Sequence, residues 1–168
     1  MYHILIGAIS ILICYKFGDW RNWKNYYPTI LFFILSSVLC TLLTYNHILW
    51  EYESRLMNHT FCNLLICITV YPSTVMIFIP YFPKKIIKII PYISIYAVVY
   101  IIGEFISVKL GYFTYHNGWN IWGSIIFDFL MFPLLILHYK KPIYGWILVL
   151  IGSNILFFIM KIPYNNIR

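Results

Sequence analysis

Six long apolar runs, separated by short polar connections, dominate the pattern of hydrophobic and polar positions along the chain. The runs cover residues 2–17, 28–50, 60–81, 86–108, 120–138 and 143–161. A helix rises about 1.5 Å per residue, so roughly 20 apolar residues cross a hydrocarbon layer about 30 Å thick. Because the runs are continuously apolar and do not alternate with polar residues, they predict helices and not the strands of a membrane barrel. The pattern therefore predicts an all-α polytopic transmembrane helical bundle of about six spans, forming a single integral membrane domain over residues 1–168.

The first run is slightly short, and an N-terminal apolar segment can also be a secretory signal peptide. It lacks a basic stretch before it and an A-x-A-like cleavage site, and positive charge follows it rather than precedes it. We therefore expect this run to be the first transmembrane helix.

Composition points to a membrane protein and excludes several other classes. Hydrophobic residues make up 62% of the chain and charged residues 10%, whereas soluble proteins are about 45–50% apolar and about 25% charged. That composition excludes a soluble enzyme, a disordered chain and a coiled coil. The cysteines lie inside apolar runs without a CxxC pair, which indicates buried thiols and argues against a disulfide framework or a zinc finger.

The net charge of +7 is more informative about how the chain is oriented in the membrane than about a binding partner. The basic residues are scattered between the apolar runs, so we expect the lipid bilayer as partner and no nucleic acid. Eight basic residues fall on one set of alternate connections, and four, including Arg168, fall on the other side. The positive-inside rule then places the first, third and fifth connections in the cytoplasm and both termini outside. This predicts a multi-pass protein of the cell (plasma) membrane with extracytoplasmic termini.

Strong polar side chains concentrate in the outer half of this predicted bundle. An ionised side chain at the bilayer centre costs about 2.5–3.5 kcal/mol even on the lenient insertion scale. The two acids within the spans must therefore face protein or water, pair with a polar group, or stay protonated, and either a structural hydrogen-bonded role or a proton- or cation-binding role fits them. The candidate pocket residues are Glu104, Asp128, Asn154, Thr69, His47 and Asn63.

A second polar cluster lies at the outer rim of the predicted bundle. His47 and Glu51 are one helical turn apart, and His59 and His116 would have to converge on them from separate loops. These four are the candidates for metal ligands, but interfacial imidazoles explain them as well, so the sequence predicts neither a metal nor a cofactor. Walker A, GxSxG and dinucleotide-binding motifs do not occur in the sequence, so an enzyme is not predicted.

Several short segments resemble a family of small multi-pass membrane proteins of endospore-forming Gram-positive bacteria whose function is uncharacterised. The segments are GDWRNWK at 18–24, YYPT at 26–29, LWEY at 49–52, NHT at 58–60, YP at 71–72, FP at 82–83, HNGW at 116–119 and LHYKKP at 137–142. The resemblance implies a helical protein of the plasma membrane. It supplies no reaction, ligand or catalytic residue.

Three functional hypotheses remain open from the sequence, the third being a metalloenzyme at the outer rim that would use His47, Glu51, His59 and His116. In the first, an outward-facing polar pocket binds or transports a proton, a cation or a small polar solute. Glu104 and Asp128 would then be the exchangeable carboxyls, with Asn154 and Thr69 as hydrogen-bonding support and His47 as a gate. In the second, the chain is a non-catalytic accessory or assembly subunit that holds a membrane-protein partner.

Overall fold

Six α-helices and a two-stranded ribbon make up the structure, a computed structural model that describes residues 1–162. The helices are α1 (Tyr2–Phe17), α2 (Trp23–Leu43), α3 (His59–Phe78), α4 (Ile86–Lys109), α5 (Ile121–Lys140) and α6 (Pro142–Ile159), and the strands are β1 (Trp50–Tyr52) and β2 (Phe113–Tyr115). A short 3-10 helix, Trp20–Asn22, leads into α2. The predicted all-α multi-pass fold is confirmed. Residues 163–168, including Arg168 from the charge count, lie outside the described residues.

Five of the helices, α2 to α6, are long and apolar enough to cross a membrane, whereas α1 has 16 residues and is shorter. Asparagine caps start two of them. Asn58 accepts from the backbone N–H of Phe61 at the start of α3, and Asn120 accepts from two N–H groups at the start of α5. Such caps satisfy donors that the first helical turn leaves unpaired.

The second helix differs most from its predicted span of 28–50. It begins at Trp23, before Pro28, and it ends at Leu43. Pro28 lies in the second turn and has no N–H to donate. The missing hydrogen bond is therefore near the start of the helix, where its loss disturbs little of the helix. Residues 50–52 form β1 instead of the end of the helix, and the other helix boundaries differ from the predicted ones by three residues or fewer.

The strands pair two connections that are far apart in sequence. β1 and β2 run antiparallel, with Trp50 opposite Tyr115 and Tyr52 opposite Phe113. The pairing holds the α2–α3 and α4–α5 connections at the same end of the bundle, which we call the ribbon end.

Helix packing centres on α3 and α5. α1 and α2 both pack along α3, α4 and α6 pack along α5, and α2 also contacts α5. The most buried side chains of the core include Val75, Phe78, Phe132 and Leu135. Phe78 places its ring centroid 4.9 Å from those of Phe132 and Tyr96, which ties α3, α4 and α5 together at the end opposite the ribbon.

Candidate functional site

A cavity of about 570 Å³ lies between the α1–α3 pair on one side and the α4–α5 pair on the other. Its size falls within the range of cavities that hold small organic ligands. Most of its wall is apolar, built from isoleucine, valine and aromatic side chains of the four helices and the ribbon. The predicted pocket was polar, so the lining differs from the expectation although two of the predicted residues belong to it.

Aromatic side chains line both ends of the cavity. At the ribbon end the wall is formed by Trp50, Tyr52 and Phe113. At the opposite end Tyr96 lines the cavity and packs on Phe78 and Phe132. A solute that moved along the bundle axis would meet aromatic side chains at either end.

The side of the cavity between α1 and α4 is more open. Four lining residues on these helices are also strongly exposed: Ile9 at 46%, Ile13 at 46%, Val99 at 61% and Ile106 at 45%. They define what we call the α1–α4 seam. In a membrane-spanning bundle, apolar side chains exposed on the outer surface of the helices face acyl chains, so the seam connects the cavity with the lipid.

Near the ribbon end, the seam is bridged by the first residues of α1. Tyr2 places its hydroxyl oxygen 2.8 Å from that of Ser107, and its ring stacks on Tyr112 at 4.5 Å between centroids. His3 adds a contact between its Nε2 and the backbone oxygen of Glu53, at 3.0 Å. These contacts fix α1 to the ribbon end and to α4.

Asp128, on α5, is the most unusual group in the cavity wall. Its side chain is 7% exposed, and its Oδ2 has no hydrogen-bond partner among residues 1–162. No lysine or arginine of the described chain lines the cavity either. A buried carboxylate without a partner costs several kcal/mol, so this position is unfavourable for folding alone.

Glu104, on α4, lines the same cavity but has a partner. It is half-buried, and the Tyr115 hydroxyl on β2 donates to its Oε1 at 2.6 Å. Burial, together with the hydrogen bond to Glu104, raises the pKa of Tyr115, which keeps its hydroxyl protonated and able to donate. The ribbon thus positions one of the two carboxyls.

Ser124 and Trp119 complete the polar part of the wall. Ser124 lies one helical turn before Asp128, and the indole N–H of Trp119 donates to its hydroxyl oxygen at 3.0 Å. On the α3 side, the hydroxyl oxygens of Thr74 and Tyr100 lie 2.6 Å apart. The sequence named Ser124 as a hydrogen-bond partner for the carboxyls and Tyr115 only as an interfacial aromatic residue, and it did not single out Tyr100. An aromatic residue in a loop such as Tyr115 carries no sequence signal for a carboxyl contact.

The other four predicted pocket residues lie outside this cavity. Thr69 packs against Gly7 of α1 and donates to the backbone oxygen of Leu65. Asn63 faces α2. Asn154 lines a separate cavity of about 140 Å³ between α2 and α6. His47 follows α2, and its Nε2 is buried with no partner among the residues described.

The rim candidates for metal ligands do not converge. Nε2 of His116 lies 3.6 Å from Oε2 of Glu51, while Nδ1 of His59 accepts from the backbone N–H of Tyr52. Within residues 1–162, no group of three or more His, Cys, Asp or Glu side chains is arranged to hold a metal ion. The site's chemistry therefore comes from two carboxyls in an apolar, aromatic-lined cavity.

No protein family, curated protein or solved structure matches the chain.

Proposed function

We propose that the chain is a multi-pass protein of the plasma membrane that binds a proton and a cation in exchange at Asp128, and carries the cation across or along the bilayer. The observation that supports this is that Asp128 lines a cavity while its buried Oδ2 has no hydrogen-bond partner within the described chain. A proton neutralises such a carboxyl, and so does a bound cation. Each would therefore favour release of the other.

Glu104 is the second carboxyl of this exchange. It lines the same cavity from α4, and the hydrogen bond from Tyr115 holds it in place. A second acid near the first strengthens the attraction for positive charge and disfavours two ionised carboxylates together. We propose that the pair carries one or two protons when no cation is bound.

The orientation remains part of the proposal. Basic residues are in excess on the connections at the end opposite the ribbon, which supports a cytoplasmic location for those connections. Both termini and the ribbon would then lie outside.

Infrared spectroscopy of the purified protein tests whether the Asp128 carboxyl exchanges its proton. The carbonyl stretch of a protonated carboxyl is a separate band, and we expect the wild-type chain to show one that Asp128→Asn removes. We expect this band to shift within minutes in D₂O and to disappear as pH rises. Asp19→Asn is the matched control, because Asp19 lies outside the cavity and accepts from Tyr26 and Asn22.

A band that neither exchanges nor titrates would overturn the proposal, because a sealed carboxyl cannot take part in exchange. Equal spectra for the wild type and Asp128→Asn would also overturn it. If a stoichiometric membrane protein co-purified and changes at Asp128 had no effect, the accessory-subunit hypothesis would replace it.

A further inference from the structure

We infer that the cation is organic and lipophilic, with one positive charge on an apolar or aromatic body, and that it reaches the cavity from the lipid through the α1–α4 seam. This inference rests on the proposed function, because it names the substrate class of the same site. Four features of the cavity support this inference: its charge, the side chains of its wall, its volume and its route of access.

The charge of the cavity selects for a cation. Asp128 and Glu104 both line it, and no Lys or Arg of the described residues does. The Oδ2 of Asp128 is buried and lacks a hydrogen-bond partner in the described part of the chain, so no donor of that part compensates this oxygen. An anion would be repelled by an ionised carboxyl here, and a neutral solute could donate a hydrogen bond to it but would not compensate its charge.

The wall selects against a small inorganic cation. Calcium takes six to eight oxygen ligands, and magnesium keeps a nearly octahedral oxygen shell. The cavity instead surrounds its two carboxyls with aromatic and branched apolar side chains, among them Tyr100 and Phe127. Aromatic faces attract cations that have shed their water, and they pack against apolar bodies.

The volume also fits a body larger than a metal ion. About 570 Å³ is the space of a small organic molecule, and most of its boundary offers dispersion contacts and no hydrogen bonds. A part of this space lies beside Gly103 of α4, where an added Cβ would meet no other part of the described chain within 4 Å. A large side chain placed there would project into the cavity.

The route of access agrees with a lipophilic solute. Rings pack at both ends of the cavity, whereas the lining residues of the seam are 45% to 61% exposed. A lipophilic cation accumulates in the bilayer and would meet this seam directly. A hydrated ion would have to cross hydrocarbon to reach it.

The experiment measures equilibrium binding of tetraphenylphosphonium to the purified protein in detergent. We expect saturable binding by the wild type that Asp128→Asn weakens by at least about 30-fold, because one partner of a buried charge pair is lost. Tetraphenylborate, which has the same shape and the opposite charge, should not bind saturably. Tetramethylammonium and sodium, which lack the apolar body, should compete poorly.

Gly103→Phe tests whether the cavity is the binding site while leaving both carboxyls in place. We expect it to abolish tetraphenylphosphonium binding. Gly152→Phe is its matched control, because a Cβ at Gly152 on α6 also meets open space but lies outside the cavity. We expect this control to bind like the wild type.

A pair of tryptophan substitutions on α4 tests the route of access. Val99 lines the seam and is 61% exposed, whereas Ile95 is 62% exposed and is not part of the cavity wall. We expect Val99→Trp to slow both association and dissociation of tetraphenylphosphonium more than Ile95→Trp does. Equal rates for the two variants would contradict access through the seam.

The outcomes separate this inference from the proposed function. If tetraphenylphosphonium does not bind while the Asp128 carboxyl still exchanges and titrates, the substrate class is wrong and the exchange stands. If the carboxyl is inert, both are wrong. Binding that survives in Asp128→Asn or in folded Gly103→Phe would overturn the inference, because the ligand would then lie elsewhere or in the micelle.

Discussion

Two polar regions inside the bundle each contain a deeply buried side chain, Asn63 in one and Asp128 in the other, but these side chains are bonded differently. Between α2 and α3, the Asn63 amide donates to Thr41 at 3.0 Å, and the Cys67 thiol reaches Asn63 Oδ1 and Ser37 Oγ at 3.9 and 3.7 Å. The hydroxyl oxygens of Ser37 and Tyr71 lie 3.3 Å apart. We call these five residues the α2–α3 polar network. Its side chains satisfy one another across the helix interface.

Asp128 is the opposite case. Asn63 is 5% exposed and Asp128 is 7% exposed, but the Oδ2 of Asp128 has no partner among residues 1–162. Buried polar groups are normally hydrogen-bonded, and an exception calls for an explanation. The comparison shows that similar depth and burial can accompany very different hydrogen bonding, and the unmet hydrogen-bonding capacity beside the cavity is why we place the proposed site at Asp128.

Removing the centre of the α2–α3 polar network should have the largest effect on stability. We expect Asn63→Ala to lower the free energy of unfolding by about 2 kcal/mol, because it leaves a cavity and removes a bond between helices. Reversible unfolding in mixed micelles measures this change. A loss below about 0.5 kcal/mol would show that the network contributes little and would remove the contrast with Asp128.

Alanine substitutions of two glycines should change stability in opposite directions. A Cβ at Gly7 would lie 2.9 Å from Oγ1 of Thr69, which is itself bonded to the backbone oxygen of Leu65. We expect Gly7→Ala to destabilise the α1–α3 contact by about 1 kcal/mol. Gly103→Ala beside the cavity should instead stabilise α4 by about 0.5–1 kcal/mol, because alanine favours helices. Thermal unfolding of both variants tests the contrast between packed and open regions, and shifts of the same sign would contradict it.

Tyr71→Phe should have a smaller effect within the α2–α3 polar network. The substitution removes the hydroxyl next to Ser37 but keeps the ring, which stacks on Phe33 with centroids 3.9 Å apart. We expect a loss of about 0.6 kcal/mol, the average for a hydrogen bond between membrane helices. Unfolding in mixed micelles measures it, and a change as large as that of Asn63→Ala would mean that the ring position also depends on the hydroxyl.

The smallest expected effect on stability concerns Asp19. This acid differs from Asp128 and Glu104 because it is hydrogen-bonded through both carboxylate oxygens and lies outside the membrane-spanning helices. Hydrogen bonds from the Tyr26 hydroxyl and from Asn22 lower the pKa of Asp19. Its stabilising contribution is therefore present above the ordinary aspartate pKa of about 3.9 and is lost as pH falls through the lower value of the folded state.

We expect unfolding measurements between neutral and acid pH to show this as a slight loss of stability at the acid end. Asp19→Asn should lack that part of the loss. Identical pH profiles for the wild type and Asp19→Asn would show that the bonds to Tyr26 and Asn22 contribute nothing in solution.

The sequence predicts the number of helices well because hydropathy alone determines it. The exact ends of the helices were harder to predict from the sequence. Residues 23–27 precede Pro28 and are polar and aromatic, so they were expected to form an interfacial loop, yet they form the first turn of α2. The strands were not predicted, because three residues are too few to show alternation and the pairing of Trp50 with Tyr115 joins distant connections.

The candidate site could be predicted from the sequence only in part, for a different reason. Counting residues along a helix gives the depth of each polar residue along the bundle. It does not give the direction around the helix, and helices that are apolar on all faces offer no stripe from which to read it. Asn63 and Thr69 therefore face α2 and α1, while Asp128 and Glu104 share a cavity.

The free energy of unfolding of Asp128→Leu tests most directly whether this carboxyl is kept for a ligand at the expense of stability. Leucine carries no hydrogen-bonding group and has the adjacent cavity into which to fit. If Asp128 serves binding, the variant should be more stable than the wild type, by about 1–3 kcal/mol, because a buried polar group without a partner is removed. If the variant is less stable by a similar amount, Asp128 stabilises the bundle, and the proposal that the cavity binds a cation is contradicted.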